Sequence, residues 1–194
     1  MLTLTPRHQI MVGLTLLLAL MLTRGQHIAS IDHLPEAAWA VFFLAGIYIS
    51  AAWFLVVLFS SAALVDYFAI VVGGVDSFCF TPAYSLLLPA YGALWLAGRM
   101  YATYYQYNWQ TLIPLSLCLF SGAFICELLS SGGFYTFSGH FTNPTLAEFG
   151  ERLVQYFPAN LSNLVFYMFV AILIHSTVLI LRKFNHQRLD VNVS

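Results

Sequence analysis

Cys79 stands between two aromatic rings in the segment Asp76-Ser77-Phe78-Cys79-Phe80-Thr81-Pro82-Ala83-Tyr84. A thiolate is a soft donor, suited to soft or borderline metal centres rather than to hard cations. A free cysteine also behaves as a small buried hydrophobe, and Cys118 and Cys126, inside an apolar run, fit that plainer reading. Cys79 differs in lying between two apolar runs, with Asp76 and Ser77 beside it.

Asp66 is the costliest residue in the chain. A carboxylate within a membrane span carries a penalty of at least about 2.5 kcal/mol, so it normally faces the bundle interior and has a partner. It reads either as a structural carboxyl bonded to a tyrosine or backbone group, or as a polar anchor at the floor of a binding cavity. Tyr84 falls in the first turn of a span, where a tyrosine anchors at the interface or turns its hydroxyl into a cavity. His27, His33 and His140 lie in polar connections, where histidine is ordinarily solvated. Glu127 reads as a satisfied carboxylate near a helix end, and His175 as an intramembrane histidine with no partner evident from sequence.

These residues are embedded in an unusually apolar chain. Of 194 residues, 60% are hydrophobic and 8% charged, with a mean hydropathy of +0.81. Soluble domains average about 25% charged residues, so the composition indicates an all-α polytopic membrane protein. The net charge of −1 with no basic run speaks against a nucleic-acid partner. Three cysteines without a CxxC pair argue against a disulfide scaffold and against a dithiol redox motif.

Six transmembrane helices are expected, at approximately 8–23, 37–55, 56–74, 81–98, 111–130 and 158–181, in one integral domain covering 1–194. The first reads as a retained span, because Thr23-Arg24-Gly25-Gln26 does not resemble a signal cleavage site. The run from Ala37 to Gly74 would be about 57 Å long as one helix, nearly twice the hydrocarbon thickness. It must turn between Ser50 and Ser61; a turn near Ser50 puts Asp66 in the outer half, one near Ser60 close to the inner face. Pro89 is expected to kink the fourth span. The long connection 131–157 begins rich in glycine and aromatics and then shows a capping box, Thr145-Leu146-Ala147-Glu148, opening a short interfacial helix. Arg7, Arg99, Arg182, Lys183 and Arg188 fall on one side, against Arg24 and Arg152 on the other, which puts both termini in the cytoplasm. Tyr101, Tyr104, Tyr105, Tyr107 and Trp109 would then form an aromatic belt at the inner face.

Taken together, His27, Asp66, Cys79 and Tyr84, with the segment from Val65-Asp66-Tyr67 through Phe78-Cys79-Phe80-Thr81-Pro82-Ala83-Tyr84, resemble the BtuM family of small bacterial cobalamin transporters. That family is related to the substrate-binding S-components of energy-coupling factor transporters. The resemblance implies an S-component-like bundle in the bacterial inner membrane whose outward cavity binds cobalamin (vitamin B12). It further implies that Cys79 ligates the corrinoid cobalt, with His27, Asp66 and Tyr84 shaping the site. One protein donor suffices for an axial position, whereas zinc wants three or four. A thiolate reaching cobalt could also displace cyanide from the cyano form, which would make Cys79 a reacting group. Gly132 to His140 would serve as a lid.

S-components that dock on a shared energising module carry small residues at four-residue spacing on the first span, where Ala19 here lacks such a partner. Ala93 and Ala97 have the spacing on the fourth span; a solitary transporter is therefore expected. Two readings from other classes compete. A haem-binding membrane redox subunit would need two histidines at matching depth. A structural subunit would use Asp66 and Glu127 to bond partner helices.

Overall fold

The computed structural model describes residues 4–24, 34–72, 81–106, 108–141 and 144–191, with only the backbone at 180 and 182–191. Six α-helices occupy these residues: α1 Pro6–Arg24, α2 Ala38–Tyr48, α3 Trp53–Val71, α4 Leu87–Tyr104, α5 Leu112–Phe137 and α6 Leu146–Val191. Short 3-10 turns, Pro82–Leu86 and Trp109–Thr111, lead into α4 and α5. No strand occurs among the described residues.

α2 is apolar on every side and almost wholly buried, with Phe42 and Phe43 fully covered, the pattern of a core helix. α4 packs against it on one side and against α5 on the other. The α2–α4 crossing is close because it is made of glycine. A Cβ on Gly98 would lie 2.1 Å from the carbonyl oxygen of Phe43, and one on Gly46 would lie 2.1 Å from that of Trp95. On the other face of α4, Ala97 fills the space above Gly122, whose own Cβ would meet it at 2.7 Å. Ala97 and Gly98 of the fourth span are thus spent on packing within the chain.

Among the described residues, four helical stretches are long and apolar enough to cross a membrane: Pro6–Arg24, Trp53–Val71, Trp109–Phe137 and Leu146–Leu179. They turn their apolar side chains outward. The most apolar part of Leu146–Leu179 has only 11% of its residues buried, the opposite of a soluble helix, and Phe166, Phe169, Leu173 and Ile174 are exposed on it. Lipid is the solvent that tolerates such a surface.

Several boundaries differ from the sequence expectation. The expected second span, 37–55, ends at Tyr48, and the third begins at Trp53. Ile49 is extended at the end of α2; its carbonyl accepts from Arg99 Nη1 at 3.1 Å, and Ser50 is held by Gln9 Oε1. Tertiary bonds therefore fix the turn at 49–52, next to Ser50. With 11 residues α2 is about 16 Å long, too short to cross the hydrocarbon alone. Pro89 lies in the first turn of α4, where its missing N–H removes no intrahelical bond, so it does not interrupt the helix.

The largest correction concerns 131–157. Residues through Phe137 continue α5, so Gly132 to His140 is mostly helix rather than a lid. Its glycines serve contact: a Cβ on Gly133 would meet Leu86 at 2.4 Å, and one on Gly132 would meet Phe149 at 3.3 Å. The helix opened at Thr145 does not stop at the interface but runs unbroken through Pro158 to Val191. Its 46 residues make it about 69 Å long, over twice the hydrocarbon thickness.

Half of the expected capping box forms, with Glu148 N–H donating to Thr145 Oγ1 at 3.3 Å. The other half is replaced by buried Tyr135, whose hydroxyl accepts from Thr145 N–H at 3.0 Å and donates to Glu148 Oε2 at 2.7 Å. Tyr135→Phe is accordingly expected to loosen the start of α6, read as faster amide hydrogen exchange at residues 145–149 with no change in α1 to α4. Unchanged exchange there would mean that the helix start holds without this hydroxyl.

Candidate functional site

Asp66 lies near the end of α3, and a network of charges gathers around it. Arg24, the last residue of α1, donates from Nε to Asp66 Oδ1 at 2.7 Å and from Nη2 to Oδ2 at 2.6 Å. This is the two-pronged geometry that makes arginine–carboxylate pairs strong. The Nη1 group of the same guanidinium donates to Glu36 Oε1 at 3.1 Å and to the Tyr91 hydroxyl at 2.8 Å. Tyr84, in the turn before α4, donates its hydroxyl to Asp66 Oδ2 at 2.8 Å. One cation therefore joins α1, α3, α4 and the chain just ahead of α2.

Local sequence explains each placement. Arg24 closes a span, and its nearly buried guanidinium is held by the carboxylate partners that a buried charge requires. Asp66 sits on the α3 face shared with buried Ala62 and Ala69, at helical spacing. Pro82 starts the turn that brings Tyr84 around. Phe42 stacks on the Tyr91 ring at 4.3 Å and sets the position of its hydroxyl. The Arg24 side chain is only 11% exposed, against 23% for Asp66 and 52% for Glu36. The network thus opens toward solvent on its acidic side.

A hollow of about 270 Å³ adjoins this network, bounded by Ala83, Tyr84 and Leu87 on one side and by Ser130, Ser131, Phe134, Arg152 and Tyr156 on the other. Beneath its floor Glu127 is buried, accepting from Ser131 Oγ at 2.6 Å and from Asn160 Nδ2 at 3.1 Å. It is satisfied, as the sequence suggested, but it lies ten residues inside α5 rather than at its end. Cys118 and Cys126 are buried core thiols.

Of the four residues singled out from sequence, the fold brings together Asp66 and Tyr84. His27 and Cys79 lie outside the described residues, as do His33 and Asp76. Among the described residues no group of three or more His, Cys, Asp or Glu could hold a metal ion. In sequence, Arg24 bears on the membrane orientation and on the absence of a cleavage site, and nothing local singles out Glu36 or Tyr91. The available signal was that an intramembrane carboxylate needs a partner, and Arg24 ends the first apolar run on the side toward which Asp66 lies.

At the opposite end of the bundle His175 does have partners. The Tyr48 hydroxyl is 3.1 Å from Nδ1 and the Tyr105 hydroxyl 3.2 Å from Nε2. Both ring nitrogens thus meet phenols. Tyr101 is buried too, so two members of the expected aromatic belt face inward, while Tyr104 and Trp109 are exposed and Tyr107 lies outside the described residues. Comparison of the chain with protein-family models and with curated proteins finds no match.

Proposed function

We propose that the chain captures cobalamin at the end of the bundle marked by Arg24 and Asp66 and carries it across the bacterial inner membrane. In this reading all six helices contribute to a solitary S-component-like transporter with both termini in the cytoplasm. Cys79 is the axial cobalt ligand, and His27, Asp66 and Tyr84 shape the site. The observation that carries the reading is the 2.8 Å bond between Tyr84 and Asp66. These two residues stand on either side of Cys79 in sequence, and both belong to the segment on which the family resemblance rests.

The hollow beside Tyr84 has room for on the order of nine water molecules. That suits a peripheral amide arm of the corrinoid rather than the macrocycle. Loading therefore involves movement of the Pro82–Leu86 turn away from Ser131 and Tyr156. The Tyr84 hydroxyl and Asp66 carboxylate then offer hydrogen bonds to amide groups, which accept and donate.

Ligand exchange follows the same chemistry. The Cys79 thiol loses its proton on coordination, a cobalt–sulfur bond forms, and the cobalt–cyanide bond breaks with its electron pair on cyanide. The released proton and cyanide leave as hydrogen cyanide, and cobalt keeps its oxidation state.

The test is the visible spectrum of purified protein loaded with cyanocobalamin. Wild type is expected to show a spectrum shifted from that of the free vitamin and to release cyanide. Cys79→Ala is expected to lose the shift and the release, and to bind at least tenfold more weakly. An alanine variant that keeps both spectrum and affinity rules out sulfur ligation, and a wild type that binds no corrinoid overturns the whole reading.

A further inference from the structure

A second cavity lies at the far end of the bundle from Asp66, and its chemistry is different. It encloses about 550 Å³ between α2, the end of α4, the start of α5 and α6, within the size range of small-molecule sites. Its floor is aliphatic, with Ile47, Leu115 and Met168 among the side chains. Its upper wall carries Tyr48, Tyr101, Tyr105, Trp109 and the imidazole of His175. Among the described residues, no Asp, Glu, Lys or Arg lines it.

We infer that this cavity is a binding site for an uncharged aromatic amphiphile, a flat ring system bearing a hydroxyl or carbonyl oxygen, entering from the membrane interface. Three observations converge on that class. First, among the described residues no Asp, Glu, Lys or Arg lines the cavity to pair with a charged guest, and burying a charge unpaired is costly. Second, the rings form a set of edges and faces: Tyr101 against Tyr105 at 6.1 Å and 84°, and Tyr105 against His175 at 6.0 Å and 82°. Perpendicular neighbours of this kind offer a ring-shaped guest the edge-to-face and offset contacts that aromatic pairs prefer. Third, the Tyr48–His175–Tyr105 chain supplies oriented hydrogen-bonding groups beside an apolar floor. A phenol hydroxyl can donate once and accept twice, so the Tyr48 oxygen retains capacity beyond its bond to Nδ1. A saturated lipid chain would use the floor and leave the ring wall and this chain unused. The site lies apart from the proposed corrinoid site and does not depend on that reading.

The experiment is equilibrium dialysis of the full-length protein in detergent against three probes, with protein-free micelles as the baseline. The probes are 2-naphthol, its saturated counterpart decahydro-2-naphthol, and 2-naphthoate. Saturable binding of 2-naphthol near one per chain is expected, with the saturated alcohol and the anion each at least tenfold weaker. Ala171→Phe, which puts a ring into the cavity from α6, and Tyr105→Leu, which removes part of the wall, should each weaken 2-naphthol at least tenfold. Both variants must elute and unfold like wild type; if one does not, the other carries the comparison. Gly92→Ala, on an open face of α4, should leave binding unchanged. Non-saturable uptake, or equal binding of all three probes, would mean that the cavity holds detergent or acyl chains without selection, and overturns the inference. So would 2-naphthol binding that neither cavity variant weakens.

Discussion

Gly98→Ala is expected to destabilise the protein by about 3 kcal/mol, although it adds a single methyl group to a residue with intrinsically poor helix propensity. The added carbon would sit 2.1 Å from the carbonyl oxygen of Phe43 and 3.3 Å from the Cα of Gly46. Both are backbone atoms of a fully buried helix, so no side-chain rotation relieves the contact. α2 and α4 would have to separate by about 1 Å or more to restore ordinary van der Waals spacing. That would open the packing around Phe42, Phe43 and Leu94, all fully buried. Overpacking of a core costs about 1–3 kcal/mol, more where the backbone must shift, and the upper end applies here. Gly92, earlier on the same helix, has no atom within 4 Å of its would-be Cβ. There alanine is expected to be neutral or to stabilise by up to about 1 kcal/mol through helix propensity. Thermal unfolding of the two variants in one detergent decides the matter. If Gly98→Ala and Gly92→Ala unfold together, the close crossing of α2 and α4 is not where the bundle draws its stability.

That crossing also marks what could and could not be read from the chain. The apolar runs announced the helices, because about 20 residues without charge have few other uses. They did not announce which helices are central. In a lipid-facing bundle both the packed and the outward surfaces are apolar, so periodicity does not separate Phe43, fully buried, from Phe169, exposed. Helix ends were legible only where a local signal coincided with a tertiary one. Thr145 did mark a start, but Pro158 marked nothing, since α6 passes through it. Gly132-Gly133 looked like a flexible connection because glycine favours loops when seen alone. Their role, letting α5 approach Leu86 and Phe149, is a contact between segments far apart in sequence. The candidate site divides along the same line. Asp66 and Tyr84 were found because an ionisable group in a span and a tyrosine at its mouth are locally anomalous. Arg24 was missed as a partner because a basic residue at the end of a span is locally ordinary.

Arg24→Leu is expected to be the most damaging substitution at the charged end of the bundle. Its guanidinium makes four hydrogen bonds to three residues, Glu36, Asp66 and Tyr91. Without it the carboxylates of Asp66 and Glu36 are left near one another with no cation between them. Removing one member of a buried ion pair costs about 3–5 kcal/mol, chiefly through the charge left behind. Asp66 at 23% and Glu36 at 52% exposure retain some water, which brings the expected loss toward about 2–3 kcal/mol. Asp66→Asn alone should cost less, since Tyr84 can still donate to the amide oxygen. The double variant Arg24→Leu with Asp66→Asn should be more stable than the sum of the two losses, by about 1–2 kcal/mol of coupling. Strictly additive losses would mean that water screens the pair fully. Corrinoid binding separates structure from function at this point. If Asp66 touches the ligand, Asp66→Asn should weaken binding by more than its loss of stability accounts for. If Asp66 serves only to anchor α1 through Arg24, binding should fall only as far as stability does, and the double variant should recover both together.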